Sequence, residues 1–451
     1  RRRHGPQEQR GTRPEAHHHT PTKGLNKGES AMATEPKVWV FMPAGAQNGP
    51  SGRPQCEERL DLLKDRRTKK AMDIGTGVGE ELKGPANAQK LGWTPDWISG
   101  MPYTVHMGNE DLSELFRAEQ ENDNDTQDRF WGTIEWLTRL QPLPLSVGLH
   151  GARLASPVVV LDDRRYNWRV PLADLFALQE WHGEIIQKIR ARGLVPAIET
   201  VAPSQFVGPP LYGEDAVWVP MTYHEARIGA HPVDLCYLRD VYDCEIWVDL
   251  EHLFFGLNFF NQEANYAWMS EGLSKSPLQC RYGEVSNLAA DGKPYSIAGL
   301  FDKDELVRRV GYAAELGWPP FSPSPMDMSR AIEMMSASHL HVGGSLAEVV
   351  DILPGEQPPP AEYLEGIEKV LAPYPGMLEE TRGKRVGSHG SIYRTDKKLE
   401  GRLRVALANG GKTFLVETSG LTPKDCWYWA KEDALEFSFF ELLAMFGKLL
   451  T

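Results

Sequence analysis

The stretch EIWVDLEH, Glu245 to His252, sets the reading of the whole chain. Ile246, Val248 and Leu250 make one apolar face and Glu245, Trp247 and Asp249 the other, which is the two-residue period of a strand. A carboxylate thus stands at the strand's carboxyl end, opposite the aliphatic face. Working outward, the same arrangement recurs. LSVGLH (145–150) turns Leu145, Val147 and Leu149 one way and Ser146, Gly148 and His150 the other. VPAIET (195–200) sets Ile198 against Val195, Ala197 and Glu199, and FLVET (414–418) sets Phe414 and Val416 against Leu415 and Glu417. YTVHM (103–107) contributes His106, and HLHVG (339–343) contributes His339 and His341. With AMDIGTG (71–77) and DWISG (96–100), these make eight strands. Eight is the number that closes a (β/α)8 TIM barrel, whose strands turn one face to the helices and whose active sites form at the carboxyl ends.

Helical patterns fit between most of the strands, over residues 125–140, 170–193, 303–317, 361–372, 397–411 and 431–450. The gap between 96–100 and 103–107 is too short for one. Residues 1–36, rich in Arg, His, Gln, Gly and Pro, bury too little apolar surface to offset ordering and read as a disordered leader, with His17, His18 and His19 as a solvated run. Residues 37–70 read as an N-terminal extension of one short strand, VWVFMPAG, a Gly/Pro-rich loop and the helix-like CEERLDLLKDRRTKK. The barrel is then expected over 71–451. Long loop insertions are expected at its carboxyl face, chiefly Phe254 to Tyr295, which carries Phe254, Phe255, Phe259, Phe260, Tyr266 and Trp268.

The formal charge of −13 over 451 residues gives no basic footprint for nucleic acid, so a small-molecule substrate is the expected partner, with a homo-oligomer left open. Five scattered cysteines, Cys56, Cys236, Cys244, Cys280 and Cys426, form no CxxC pair and suit a reducing, cytoplasmic setting. No run of eighteen apolar residues would span a membrane.

The ionisable groups collected at strand ends are His106, His150, Glu199, Asp249, His252, His339, His341 and Glu417. Several carboxylates converging on one mouth repel, and each costs several kcal/mol, on the order of 3, if buried without a partner. A divalent metal ion resolves this, and mixed carboxylate and imidazole donors suit Mn, Co, Mg, Zn or Fe without choosing among them. Glu251 reads as a surface carboxylate beside the DxxH pair of Asp249 and His252, and His182, in QEWHGE, as a mid-helix residue with no chemical role. The glycine pattern DIGTGVGEE (73–81) looks like a nucleotide-binding turn, but no acidic residue on a following strand completes that unit, so it reads as the first barrel strand and its loop.

The order VPAIET, WVDLEH, HLHVGG followed by DILPGEQ, and FLVETSG resembles the xylose isomerase-like TIM barrels: sugar and sugar-phosphate isomerases, ketose 3-epimerases and metal-dependent apurinic endonucleases. The resemblance covers 71–450, with specific motifs in the second half. It implies, on the epimerase pattern, a metal held by Glu199, Asp249, His341 and Glu417, with His252 touching substrate and the two glutamates as the acid/base pair. His106, His150 and His339 would bind substrate or further metal. Two departures stand out: Gly343 to Val350 contains no arginine where the epimerases have one, and VVDILPGE offers only Asp351 where the endonucleases have an aspartate-x-histidine pair. The implied function is a metal-dependent isomerase or epimerase of a small polyhydroxy carbonyl compound. The alternatives are a phosphodiesterase of the endonuclease type, an oxidative multi-iron enzyme, and an inactive barrel kept for binding.

Overall fold

Eight parallel strands close into a ring in chain order: β1 (Trp39–Gly45), β2 (Gly77–Lys83), β3 (Tyr103–His106), β4 (Val147–His150), β5 (Pro196–Glu199), β6 (Glu245–Asp249), β7 (His339–Val342) and β8 (Thr413–Val416), with β8 pairing back to β1. The computed structural model describes residues 37–45, 66–107, 112–154, 158–161, 164–167, 172–201, 216–217, 226–261, 286–288, 294–296, 328–344, 349–351, 384–386, 392–418 and 431–451. Helices Asn124–Leu137, Leu172–Arg190, Lys397–Ala408 and Lys431–Leu449 fall where the 3.6-residue pattern places them. The expected leader, the helices over 303–317 and 361–372, and most of the expected long loops lie outside the described residues. Among the described residues, no helix is long and apolar enough to cross a membrane.

The alternation read from sequence is the barrel's wall. Ile198, Ile246, Val248, Leu340, Phe414 and Val416 point outward and are buried against the helices. Phe414, for example, stacks 4.7 Å from Phe446 of the last helix. Full burial of such a side chain stabilises the fold by about 2–3 kcal/mol. Inward positions pair large with small. A Cβ on Gly79 would lie 2.1 Å from the Phe41 ring, one on Gly77 2.2 Å from Trp39, and one on Gly148 2.0 Å from Trp247. The aromatic rings fill the space the glycines leave and form the floor beneath the carboxyl ends.

Four expectations need correction. AMDIGTG is not a strand: a helix occupies 66–73, Gly75 takes φ 73°, and the Thr76 amide closes onto the Ala71 carbonyl, a helix C-terminus. The strand begins only at Gly77, so the glycines of DIGTGVGEE are one helix stop and two interior spacers rather than an anion-binding turn. DWISG is not a strand either, because Pro95 opens a single 3-10 turn, Pro95–Ile98, ended by Ser99 and Gly100 at positive φ. The missing first strand is VWVFMPAG, so the barrel begins at Trp39, inside the segment expected as an extension. Finally, the residues after β6 do not open a loop: helix Leu250–Asn261 starts at once and takes Phe254 to Phe260 with it.

Candidate metal centre at the barrel mouth

Strand register sets the ionisable residues side by side. His150 lies opposite Glu199, Asp249 opposite His341, Lys83 opposite His106, and Trp247 is flanked by Glu199 and His339. Seven of the eight residues collected from the sequence lie at or just past the carboxyl ends of the strands; His339 instead opens β7, opposite Thr413.

Three carboxylates there divide their oxygens in the same way. Glu199, almost fully buried, gives Oε2 to His106 Nε2 (2.7 Å) with His150 Nε2 at 3.5 Å, and turns Oε1 to His341 Nδ1 at 3.3 Å. Asp249 accepts the amides of Glu251 and His252 on Oδ1, both at 2.8 Å, and so caps the helix that follows, while its buried Oδ2 has no hydrogen-bond partner among the described residues. Glu417 binds Lys83 Nζ through Oε1 at 2.6 Å and presents Oε2 to His341 Nδ1 at 2.9 Å. Glu199 and Glu417 thus each commit one oxygen elsewhere and turn the other to His341 Nδ1, and a ligand atom of Asp249 lies within 4.8 Å of those of His341 and Glu417. His252, expected on a loop, sits in the first turn of the helix with Nδ1 3.0 Å from the Thr200 carbonyl. Thr200 in turn ties β5 to β6 through Asp249 N (2.8 Å) and Asp249 O (3.0 Å).

The charges are linked. Burial alone pulls the His341 imidazole down, but Glu199, Glu81 and Glu417 outweigh it and hold it well above its ordinary value. His252 is raised in the same way by Asp249, Glu199 and Glu417 against burial. For Glu199, burial acts upward and is overcome by His341, His106 and His150, so its carboxyl lies well below the usual range.

Two groups escaped the sequence reading. Glu81, fully buried on β2, places Oε2 3.2 Å from both His339 Nε2 and His341 Nε2, and burial, which would raise its carboxyl, yields to these imidazoles and Lys83, which hold it low. Lys83, at the end of the same strand, is held high by Glu417 and Glu81 against its own burial. The signal was present: Gly77, Gly79, Glu81 and Lys83 alternate inward as the other strands do, once the strand is started two residues after Gly75.

The donor set fits a divalent cation. Glu199, Asp249 and His252 offer ligand atoms within 4.8 Å of one another, as do Asp249, His341 and Glu417; His106, His150 and Glu199 form a further group, and Glu81, His339 and His341 another. Among the described residues, Asp249 Oδ2 and both ring nitrogens of His341 are buried without hydrogen-bond partners, which a bound cation would supply to the atoms facing it. By contrast, His182 is committed elsewhere: its Nδ1–H donates to Leu178 O (2.6 Å) and Nε2 accepts from Ala152 N (2.8 Å), a structural role.

No protein-family model matches the chain, and no curated protein sequence does. Solved structures similar to it include three sugar 3-epimerases. A D-allulose 3-epimerase from Methylomonas sp. shares 8% identity, with 91% of this chain and 98% of that one covered and a TM-score of 0.32. An L-ribulose 3-epimerase shares 10% identity, covering 91% and 94%, with a TM-score of 0.37. A D-psicose 3-epimerase, crystallised in the presence of D-fructose, shares 11% identity, covering 92% and 96%, with a TM-score of 0.29. Overlaps this loose transfer no residue roles; the closed eight-strand ring itself fixes the fold as a (β/α)8 barrel.

Proposed function

We propose that the chain is a divalent-metal-dependent isomerase or epimerase of a small polyhydroxy carbonyl substrate. The observation that carries this reading is that Glu199 and Glu417 each fix one oxygen on the protein and turn the other to His341 Nδ1, while Asp249 is grouped with His341 and Glu417 within the reach of one ion. Glu199, Asp249, His341 and Glu417 would hold the cation, which when bound polarises the substrate carbonyl. The protein's own residues do the rest. Glu199 and Glu417, on β5 and just past β8, come from strands separated by two others in the ring, and one would take the proton beside the carbonyl while the other returns it. His252 and Lys83 lie at the partly exposed rim, placed to orient hydroxyl groups. Trp247 and Phe41 close the floor against water.

The test is hydrogen exchange. A panel of ketoses in deuterated water with Mn or Co should take up solvent deuterium at the carbon beside the carbonyl, and Glu199→Gln or Glu417→Gln should slow this about 10²–10⁴-fold. No uptake across the panel by metal-loaded protein removes the proposal. The His106, His150 and Glu199 group favours a second reading, phosphodiester hydrolysis with more than one metal. One metal equivalent with no nicking of an abasic duplex supports the first; two or three equivalents with nicking support the second.

A further inference from the structure

We propose that Glu81 is the positioning carboxylate of this centre: its Oε2 takes the Nε2–H of His341 and so fixes the ring in the tautomer whose Nδ1 lone pair faces Glu199, Glu417 and the cation between them. The inference rests on the metal-dependent reading above and adds to it a residue on a strand that supplies none of the four proposed ligands.

The geometry is that of a hub. Glu81 Oε2 lies 3.2 Å from His341 Nε2, 3.2 Å from His339 Nε2 and 3.4 Å from Thr104 Oγ1. A carboxylate ringed by two imidazoles and a hydroxyl is satisfied only by accepting from each of them. His339 is set for this: Thr413 Oγ1 contacts its Nδ1 at 2.5 Å, leaving Nε2–H for Glu81. His341 is not yet aligned, since among the described residues neither of its ring nitrogens makes a hydrogen bond despite the short contacts. With Nε2–H given to Glu81, its Nδ1 would carry a bare lone pair toward Glu417 Oε2 at 2.9 Å and Glu199 Oε1 at 3.3 Å. Three acceptors at those distances repel unless a cation lies among them. A metal-bound imidazole whose other N–H is held by a carboxylate is both correctly turned and more basic, and loss of such a partner weakens metal affinity about 10–100-fold. The fixing is rigid because Glu81 is completely enclosed and Trp247 packs 5.5 Å from the His341 ring on the floor side.

The experiment has two arms. Mn²⁺ affinity of the wild type, Glu81→Gln and Glu81→Ala is measured by competition with a chelator, after circular dichroism and thermal melts confirm that each folds. Separately, histidine-selective ¹⁵N labelling of the Zn²⁺-loaded protein, with the His341 signal assigned by its loss in His341→Asn, reads which ring nitrogen keeps its proton and how fast that proton exchanges with water. Expected are Kd values raised about 10–100-fold in both folded Glu81 variants, and an Nε2–H proton protected from exchange in the wild type and exposed to it in Glu81→Ala. Unchanged Kd in the folded variants, a metal-loaded wild type that keeps its proton on Nδ1, or a wild type that binds no divalent metal overturns the proposal. Should metal affinity depend on Glu81 while no ketose takes up deuterium, the isomerase function fails and the assignment of Glu81 stands.

Discussion

Asp249 performs two jobs with two oxygens, and a pair of substitutions separates them. Oδ1 caps helix Leu250–Asn261 through the Glu251 and His252 amides at 2.8 Å each, while Oδ2 has no hydrogen-bond partner among the described residues and is left for the candidate metal centre. Asparagine is as good a helix cap as aspartate, so Asp249→Asn keeps both amide bonds and removes only the charge. Asp249→Ala removes the charge and the cap. The relief of repulsion with Glu199 and Glu417 is common to both variants and cancels when they are compared. What remains is the cap, worth about 1–2 kcal/mol, and by that amount the alanine variant should be less stable than the asparagine variant in metal-free urea denaturation. Metal reverses the comparison with wild type. At a concentration 100 times its Kd, a cation that binds only the folded state stabilises wild type by about 2.7 kcal/mol, and neither variant should gain comparably. Equal denaturation midpoints for the two variants would falsify the cap, and full metal stabilisation of Asp249→Asn would remove Oδ2 from the ligand set.

Other outcomes follow from the same contacts. Burial pulls the His182 imidazole from 6.5 down to about 4, so the unfolded chain takes up the proton first. Its contribution is complete above about pH 6.5 and is lost as the pH falls toward 4, a change of about 3 kcal/mol; His182→Gln should flatten that part of the stability curve, and an unchanged slope refutes the assignment. Gly148→Ala drives a methyl group to within 2.0 Å of Trp247 and should cost about 1–3 kcal/mol, with a shift in tryptophan fluorescence as the floor moves; a silent substitution would show that the ring has room to give.

The later strands were legible because their two faces differ so sharply. VPAIET, EIWVDL, HLHVG and FLVET each put aliphatic residues outward and an ionisable residue inward near the carboxyl end, and the barrel keeps that division. The first two strands were hidden for opposite reasons. VWVFMPAG lacks a charged inward end, and its neighbours read as an extension rather than as half of a seam. GVGEELK carries two adjacent glutamates, which alternation separates only once the strand is started at Gly77: Glu80 turns outward to a buried pair with Arg67, Glu81 inward to the histidines. AMDIG mimicked a strand because the end of a helix, like a strand, can be short, apolar and followed by glycine. The candidate ligands were thus visible as strand ends, whereas the residues that contact them, Glu81 and Thr200, depend on which strands are neighbours.

The ring closes late. β1 pairs along seven residues with β2, which follows it closely, but its other edge waits for Thr413–Val416, about 370 residues downstream. At ribosomal rates of roughly 5–20 residues per second, that edge, with Trp39, Val40 and Phe41 on it, stays unpaired for on the order of 20–70 s. Exposed apolar edges of this kind recruit other chains. A chain ended before Lys412 is therefore expected to sediment as aggregate on expression while one that includes β8 and the last helix stays in the supernatant, so the final strand serves the first as its chaperone.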